Sequence, residues 1–170
     1  MSMKQREQIE PGGGDLPENA TMAQPEGQDG MPELAFDELE VEATDGNLLT
    51  VQSFVEEHLE SAGCSLRAQM QISVAVEEVF VNIAHYAYAP DTGKAVLRMG
   101  VSDDPAAVTI VFIDRGVPFD PLAKEDPNVT LSAEERGIGG LGIFITKKTM
   151  DEVRYEYRDG QNILTLRKNL

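Results

Sequence analysis

Two polar residues stand one helical turn apart in the otherwise apolar run "VAVEEVFVNIAHYAYAP", residues 74–90. They are Glu78 and Asn82, with His85 just beyond and Glu77 alongside. At about 100° per residue, Asn82 and His85 fall within about 40° of Glu78, whereas Glu77 turns about 100° away. Ile72, Val76, Val79, Phe80 and Ile83 gather on the neighbouring face. Such a stripe is commonly a solvated helix edge. It can equally set a carboxylate beside a nucleophilic hydroxyl, with an amide oxygen as a neutral, hard ligand for Mg²⁺ already carried by phosphates. The helix alone leaves both readings open.

Two glycine-bearing stretches add chemistry. In "VFIDRGVPFDP", 111–121, a strand runs into Asp114, followed by Gly116, Pro118 and Phe119. A plain turn accounts for this. So does a carboxylate that accepts a hydrogen bond from an amino-substituted ring, with a glycine that lets the flat ring approach the backbone. In "ERGIGGLGIFITKK", 135–148, Gly137, Gly139, Gly140 and Gly142 open a helix. Glycines let several backbone N–H groups converge on an anion, and a helix N-terminus adds a favourable dipole. Gly137, Gly139 and Gly142 also spell G-x-G-x-x-G, but a charged loop precedes them and a hairpin follows, unlike the parallel βαβ unit of a dinucleotide site. No G-K-[ST] closes a P-loop. Arg136, beside the first glycine, reads equally as a phosphate contact or a free lid residue, and Lys147 and Lys148 read as solvating the helix after the cradle, though either could approach a phosphate.

The elements that must position these residues follow from hydrophobic period. "ELAFDELEVEA" reads as a strand with an irregular step, and "TDGNLLTVQSFVEEHLESAG" as a helix stopped by Gly63. A long helix follows, with Ser65 as its N-cap and Pro90 beyond its end. "KAVLRMGVSD" and "AAVTIVFID" alternate around "SDDP" as a hairpin, and "EVRYEYRDGQNILTLRK" is a second hairpin turning at Asp159-Gly160. Between them lie a loop over 115–140 and a shorter helix, "LGIFITKKTMD". The order strand, two helices, hairpin, loop, helix, hairpin predicts an α+β fold. It is a two-layer sandwich, with helices on one face of a mixed, mostly antiparallel sheet.

Composition bounds the function classes. The chain has 170 residues, with 14 Lys+Arg against 30 Asp+Glu, a net charge of −16. That balance repels nucleic-acid phosphates and anionic membranes. One cysteine, Cys64, excludes an internal disulfide framework and fits a reducing compartment. The N-terminus has no apolar signal-peptide core, and no apolar run reaches a membrane span of about 18 residues, so a cytoplasmic location is expected. Residues 1–32 are acidic and rich in Gly and Pro, which predicts a disordered tail ahead of one domain over 33–170. His58 reads as a surface residue of the first helix.

In combination these motifs are more specific than any of them alone. E-x-x-x-N on a helix, D-x-G-x-P-F-D after a strand and G-x-G-G-x-G before a helix, in that order, resemble the GHKL ATPase superfamily. "DRGVPFDP" and "GGLGIFITKKTMDEVRYEY" are similar to the bacterial anti-sigma-factor serine kinases. The resemblance implies an ATP site of known layout. Asn82 would ligate Mg²⁺ and Glu78 would be the general base. Asp114 would bind the adenine amine, and Gly116 would admit the ring. Gly137, Gly139, Gly140 and Gly142 would surround the phosphates, residues 120–136 would form a lid, and Thr165 would assist adenine through a water. It further implies a protein serine kinase acting on an anti-sigma-antagonist (STAS-like) protein, sequestration of a sigma factor by partner switching, and a possible homodimer. The alternative is an ATP-binding sequestration module without transfer. One departure stands out: family members often carry a histidine four residues after the asparagine, where this chain has Tyr86, with His85 one residue early. Either the helix ends differently here, or His85 is a polar edge residue, which is the preferred reading.

Overall fold

The computed structural model describes residues 34–123 and 141–170. The expectations for residues 1–32, for the lid over 124–136, and for Arg136, Gly137, Gly139 and Gly140 lie outside them.

Strand β1 (Asp37–Glu42) leads through a short 3₁₀ turn (Asp45–Asn47) into α1 (Leu48–Ser61). Helix α2 (Leu66–Asn82) starts where the Ser65 hydroxyl accepts the Ala68 N–H at 3.3 Å, the cap the sequence calls for. Its continuation, Ile83–Ala87, is wound as a π-turn rather than α-helix. Strands β2 (Lys94–Asp103) and β3 (Ala106–Asp114) form the first hairpin. Helix α3 (Leu141–Thr149) precedes the second, β4 (Glu152–Arg158) and β5 (Gln161–Asn169). The β4–β5 turn places Asp159 at φ 54° and Gly160 at φ 75°, the left-handed pair that an Asp-Gly hairpin turn demands.

The five strands lie in the order β1-β2-β3-β5-β4. All the pairings are antiparallel, so the mixed component expected from the sequence is not present among the described strands. Register follows the alternation of side chains. Leu97, Phe112, Leu164 and Tyr155 align in one row, and Met99, Ile110, Leu166 and Val153 in the next. Most of these residues are buried, and all eight belong to or pack against one core with Val51, Val55 and Leu59 of α1 and Ile72, Val76, Val79 and Phe80 of α2. The intervening positions face away from the helices, where Glu38 pairs with Arg98 at 2.6 Å across β1–β2. Strand β2 therefore reads alternately apolar and polar because one sheet face is covered and the other meets solvent. Helix α2 packs against both α1 and α3 and so runs through the middle of the helical layer.

One sequence-level reading changes here. His58 is not a free surface residue. Its Nδ1 lies 2.7 Å from the Phe54 carbonyl and its Nε2 2.9 Å from Asp37 Oδ2, tying α1 to the edge strand. His85 does sit on a polar edge, where its Nε2 meets Asp45 Oδ1 at 2.8 Å. Cys64 is buried in the core cluster, and burial pushes its thiol above the ordinary value, as suits a packing residue.

Candidate functional site

Glu78 and Asn82, one turn apart on α2, are both half-buried on the flank that meets α3. The carboxylate of Glu78 lies against Gly142 in the first turn of α3. A Cβ built at Gly142 would collide with Oε2 and Cδ of Glu78 and stand 3.0 Å from its Cγ. Glycine is thus required here to let the carboxylate rest beside the start of the helix. Among the described residues, no side-chain hydrogen bond engages Glu78 or Asn82.

At the C-terminal end of β3, Asp114 is only 7% exposed. Its Oδ1 accepts from the Gly116 N–H at 2.9 Å and from Asn162 Nδ2 at 2.8 Å. Gly116 packs so closely on Ala87 that an added Cβ would overlap the Ala87 backbone, with the carbonyl carbon 2.6 Å away. The Val117 N–H donates to the Ala87 carbonyl at 2.8 Å, so the end of the π-turn and the loop after β3 form one wall.

Tyr88 fastens that wall. Its hydroxyl accepts from the Arg115 N–H at 2.8 Å and donates to the Lys94 carbonyl at 2.6 Å. Burial pushes the phenol above its ordinary value, which keeps it a donor. Gly93 has no Cβ because the Tyr88 ring occupies that space.

The structure brings Glu78, Asn82 and Gly142 together at one end, and Asp114 and Gly116 at the other, joined by the turn from Asn82 to Ala87. It does not bring in Thr165. That residue pairs in register with Val111 and Arg154, one step out of phase with Leu164 and Leu166, and so faces the side of the sheet away from the helices. The residue of β5 that does reach Asp114 is Asn162, which sequence reasoning missed. A signal was available: in "QNILTL", Asn162 shares the parity of the inward Leu164 and Leu166, whereas Thr165 does not. Tyr88 and Tyr155 were missed too, because a tyrosine on an apolar face reads as core.

The arrangement suits a purine nucleotide. A buried carboxylate with one committed oxygen offers the other to an amine, beside a backbone that only glycine lets a ring approach. Among the described residues, no group of three or more His, Cys, Asp or Glu could hold an ion. A single amide oxygen such as that of Asn82 fits Mg²⁺ that arrives with phosphates.

Comparison with known proteins bears on the fold and the family. The chain is 26% identical over 102 residues to the serine/threonine-protein kinase BtrW of Bordetella bronchiseptica, covering 60% of this chain and 71% of that one. It is 32% identical over 97 residues to the serine-protein kinase RsbW of Bacillus licheniformis, covering 54% and 59%. It is 29% identical over 99 residues to RsbW of Bacillus subtilis, covering 54% and 59%. Among solved structures, the RsbU and RsbW domains of a Mycobacterium tuberculosis protein superpose with a TM-score of 0.55 at 21% identity, over 79% of this chain and 32% of that one, a likeness of fold. The model of the histidine kinase-like ATPase domain matches residues 41–168, and the chain belongs to that family.

Proposed function

We propose that this chain is an ATP-dependent protein serine kinase and anti-sigma regulatory factor. In this reading residues 33–170 phosphorylate a serine of an anti-sigma-antagonist (STAS-like) protein and sequester a sigma factor by partner switching, in the cytoplasm. The observation that carries the proposal is Glu78 held against Gly142 at the first turn of α3, one turn from Asn82. A carboxylate placed at the opening of a glycine-bearing helix repels an anion and weakens phosphate binding. The charge stands where a phosphate would approach, and a base for an attacking hydroxyl is a role that needs it there. The serine- and serine/threonine-protein kinase names of the relatives support the same reading.

Glu78 takes the proton from the serine hydroxyl as its oxygen bonds to the γ-phosphorus of ATP. The bond from that phosphorus to the bridging oxygen of ADP breaks, and ADP leaves. Asp114 orients the purine through its amine, and Gly116 and Ala87 give the ring a flat wall. Asn82 would hold Mg²⁺, which would supply charge neutralisation across the phosphates. Phosphoryl transfer is mostly positioning and electrostatics, so one base and a few donors are enough.

The alternative, an ATP-binding sequestration module without transfer, gains support if the wild type binds ATP yet transfers no phosphate to a partner. Calorimetry with Mg²⁺-ATP tests the site: Asp114→Ala should lose affinity and Asn82→Ala should lose the Mg²⁺ dependence. Transfer of labelled phosphate to a STAS-like partner tests the activity. Wild type should transfer, and Glu78→Ala should bind ATP yet transfer at least about a hundredfold more slowly. No binding by the wild type at millimolar nucleotide sinks the kinase reading.

A further inference from the structure

Asn162 makes four hydrogen bonds at a position only 7% exposed. Its Nδ2 donates to Asp114 Oδ1 at 2.8 Å and to the Val117 carbonyl at 3.1 Å. Its Oδ1 accepts from the Phe119 N–H at 3.2 Å and from the Tyr155 hydroxyl at 2.7 Å. The amide cannot be turned over. A carbonyl can only accept and a backbone N–H can only donate, so Val117 and Phe119 fix which end is nitrogen and which is oxygen. Tyr155 must then be the donor in its pair. Every hydrogen-bonding site that Asn162 commonly uses is occupied by protein, so the side chain has nothing left to offer a ligand.

The consequence falls on Asp114. Its Oδ1 is gripped by Asn162 and by the Gly116 N–H, which fixes the plane of the carboxylate. Among the described residues none donates to Oδ2. We infer that Asn162 is the positioning residue that sets base selectivity, by leaving Asp114 with one outward oxygen that can only accept. This rests on the purine-nucleotide reading of the site. A 6-amino purine donates to that oxygen. A 6-oxo purine sets an acceptor against it, and the clamped carboxylate cannot rotate away. An unpaired, buried acceptor pair costs far more than a missing contact, so discrimination depends on the clamp as much as on the charge. Through Val117 and Phe119, the same amide holds the loop that forms the wall at Gly116, so Asp114 and the wall keep a common frame.

The test compares ATP with inosine triphosphate, which differs at the 6-amino group, by calorimetry in Mg²⁺ on the full chain. Wild type should prefer ATP by about tenfold or more. Asn162→Ala should weaken ATP markedly and inosine triphosphate little, taking the ratio towards one. Tyr155→Phe, which removes one of the four bonds, should lower the ratio about threefold while the protein still melts cooperatively. Equal losses for both nucleotides, with the ratio unchanged, would show that Asn162 only holds the loop and overturn the inference. If Asn162→Ala does not fold, Tyr155→Phe decides alone, and an unchanged ratio there overturns it equally. A wild type that binds neither nucleotide removes the purine reading and the inference with it, whereas one that binds both alike overturns the inference alone. That failure is seen in the wild type, before any variant is read.

Discussion

The two ends of the proposed nucleotide site, one for the purine and one for the phosphates, are built on opposite plans. At the purine end, Asp114 and Asn162 lie inside the sheet, each only 7% exposed, and share one closed network with Gly116, Val117, Phe119 and Tyr155. At the phosphate end, Glu78 and Asn82 are half-buried on a helix, and no side-chain hydrogen bond engages them among the described residues. Sheet hydrogen bonding fixes strand ends to a fraction of an ångström, which suits recognition of a rigid ring. Helix side chains keep rotamer freedom, which suits groups that must meet a proton, a metal and a partner's hydroxyl in turn. A recognition end can be finished in advance, whereas a reacting end gains from polar groups left uncommitted.

The largest expected effect breaks the phosphate end without touching the purine end. Gly142→Ala puts a methyl where Glu78 Oε2 now lies. The obstacle is the tip of a flexible side chain, so the fold should yield cheaply and the carboxylate should move. A displacement of about an ångström at a reacting group can cost about a hundredfold in rate. Single-turnover phosphate transfer should fall by that order, with ATP affinity within about threefold and the melting temperature nearly unchanged. Transfer at the wild-type rate would mean that Glu78 is not the base.

Gly116→Ala reverses the pattern. Its methyl would meet the Ala87 backbone, which cannot swing aside. The loop must shift instead, losing the Val117–Ala87 bond, and overpacking of this kind costs about 1–3 kcal/mol. Urea denaturation should report that loss, and ATP affinity should fall with it. Tyr88→Phe is milder, removing the bonds to Arg115 and Lys94 at about 1 kcal/mol each. It should weaken nucleotide binding through the loop and leave the transfer rate at saturating ATP unchanged. A loss confined to that rate would contradict the division between the two ends.

How much of this was legible in the sequence depends on the kind of contact. Ser65 as a cap and Asp159-Gly160 as a turn were readable because each acts on its own backbone. The strand alternation of β2, β3 and β5 was readable because one face is buried. Glu78, Asn82, Asp114 and Gly116 were legible as candidates from type and spacing. The pairing of Asp114 with Asn162 was not, because residues 48 apart in the chain meet only through the β3–β5 register. Thr165, offered by the family resemblance, stands on the opposite parity and faces away from the helices. The early His85 pointed to a helix that ends differently after Asn82, but no residue in "IAHYA" signals by itself that the ending is a π-turn.

The smallest expected effect is a control that neither end should feel. Both ring nitrogens of His58 face acceptors, the Phe54 carbonyl and Asp37 Oδ2, so the geometry asks for two N–H donors and hence a protonated ring. Desolvation by burial opposes the charge. The hydrogen bonds to Phe54 and Asp37, with the charges of Asp37 and Glu57, outweigh it and raise the pKa above the ordinary 6.5. The folded state therefore holds this proton more tightly than the unfolded chain. The resulting stability is fully present below about pH 6.5 and is lost as pH rises through the higher folded value. The pair lies at the edge of the fold, so the amount should stay under about 1 kcal/mol. Urea midpoints across pH 5.5 to about 8.5 should fall for wild type relative to His58→Gln, whose neutral amide cannot follow the titration. ATP-to-inosine-triphosphate selectivity and transfer rate should be the same in both proteins. A change in selectivity would mean that the α1–β1 corner communicates with the purine end, and the separation of the two plans would have to be redrawn.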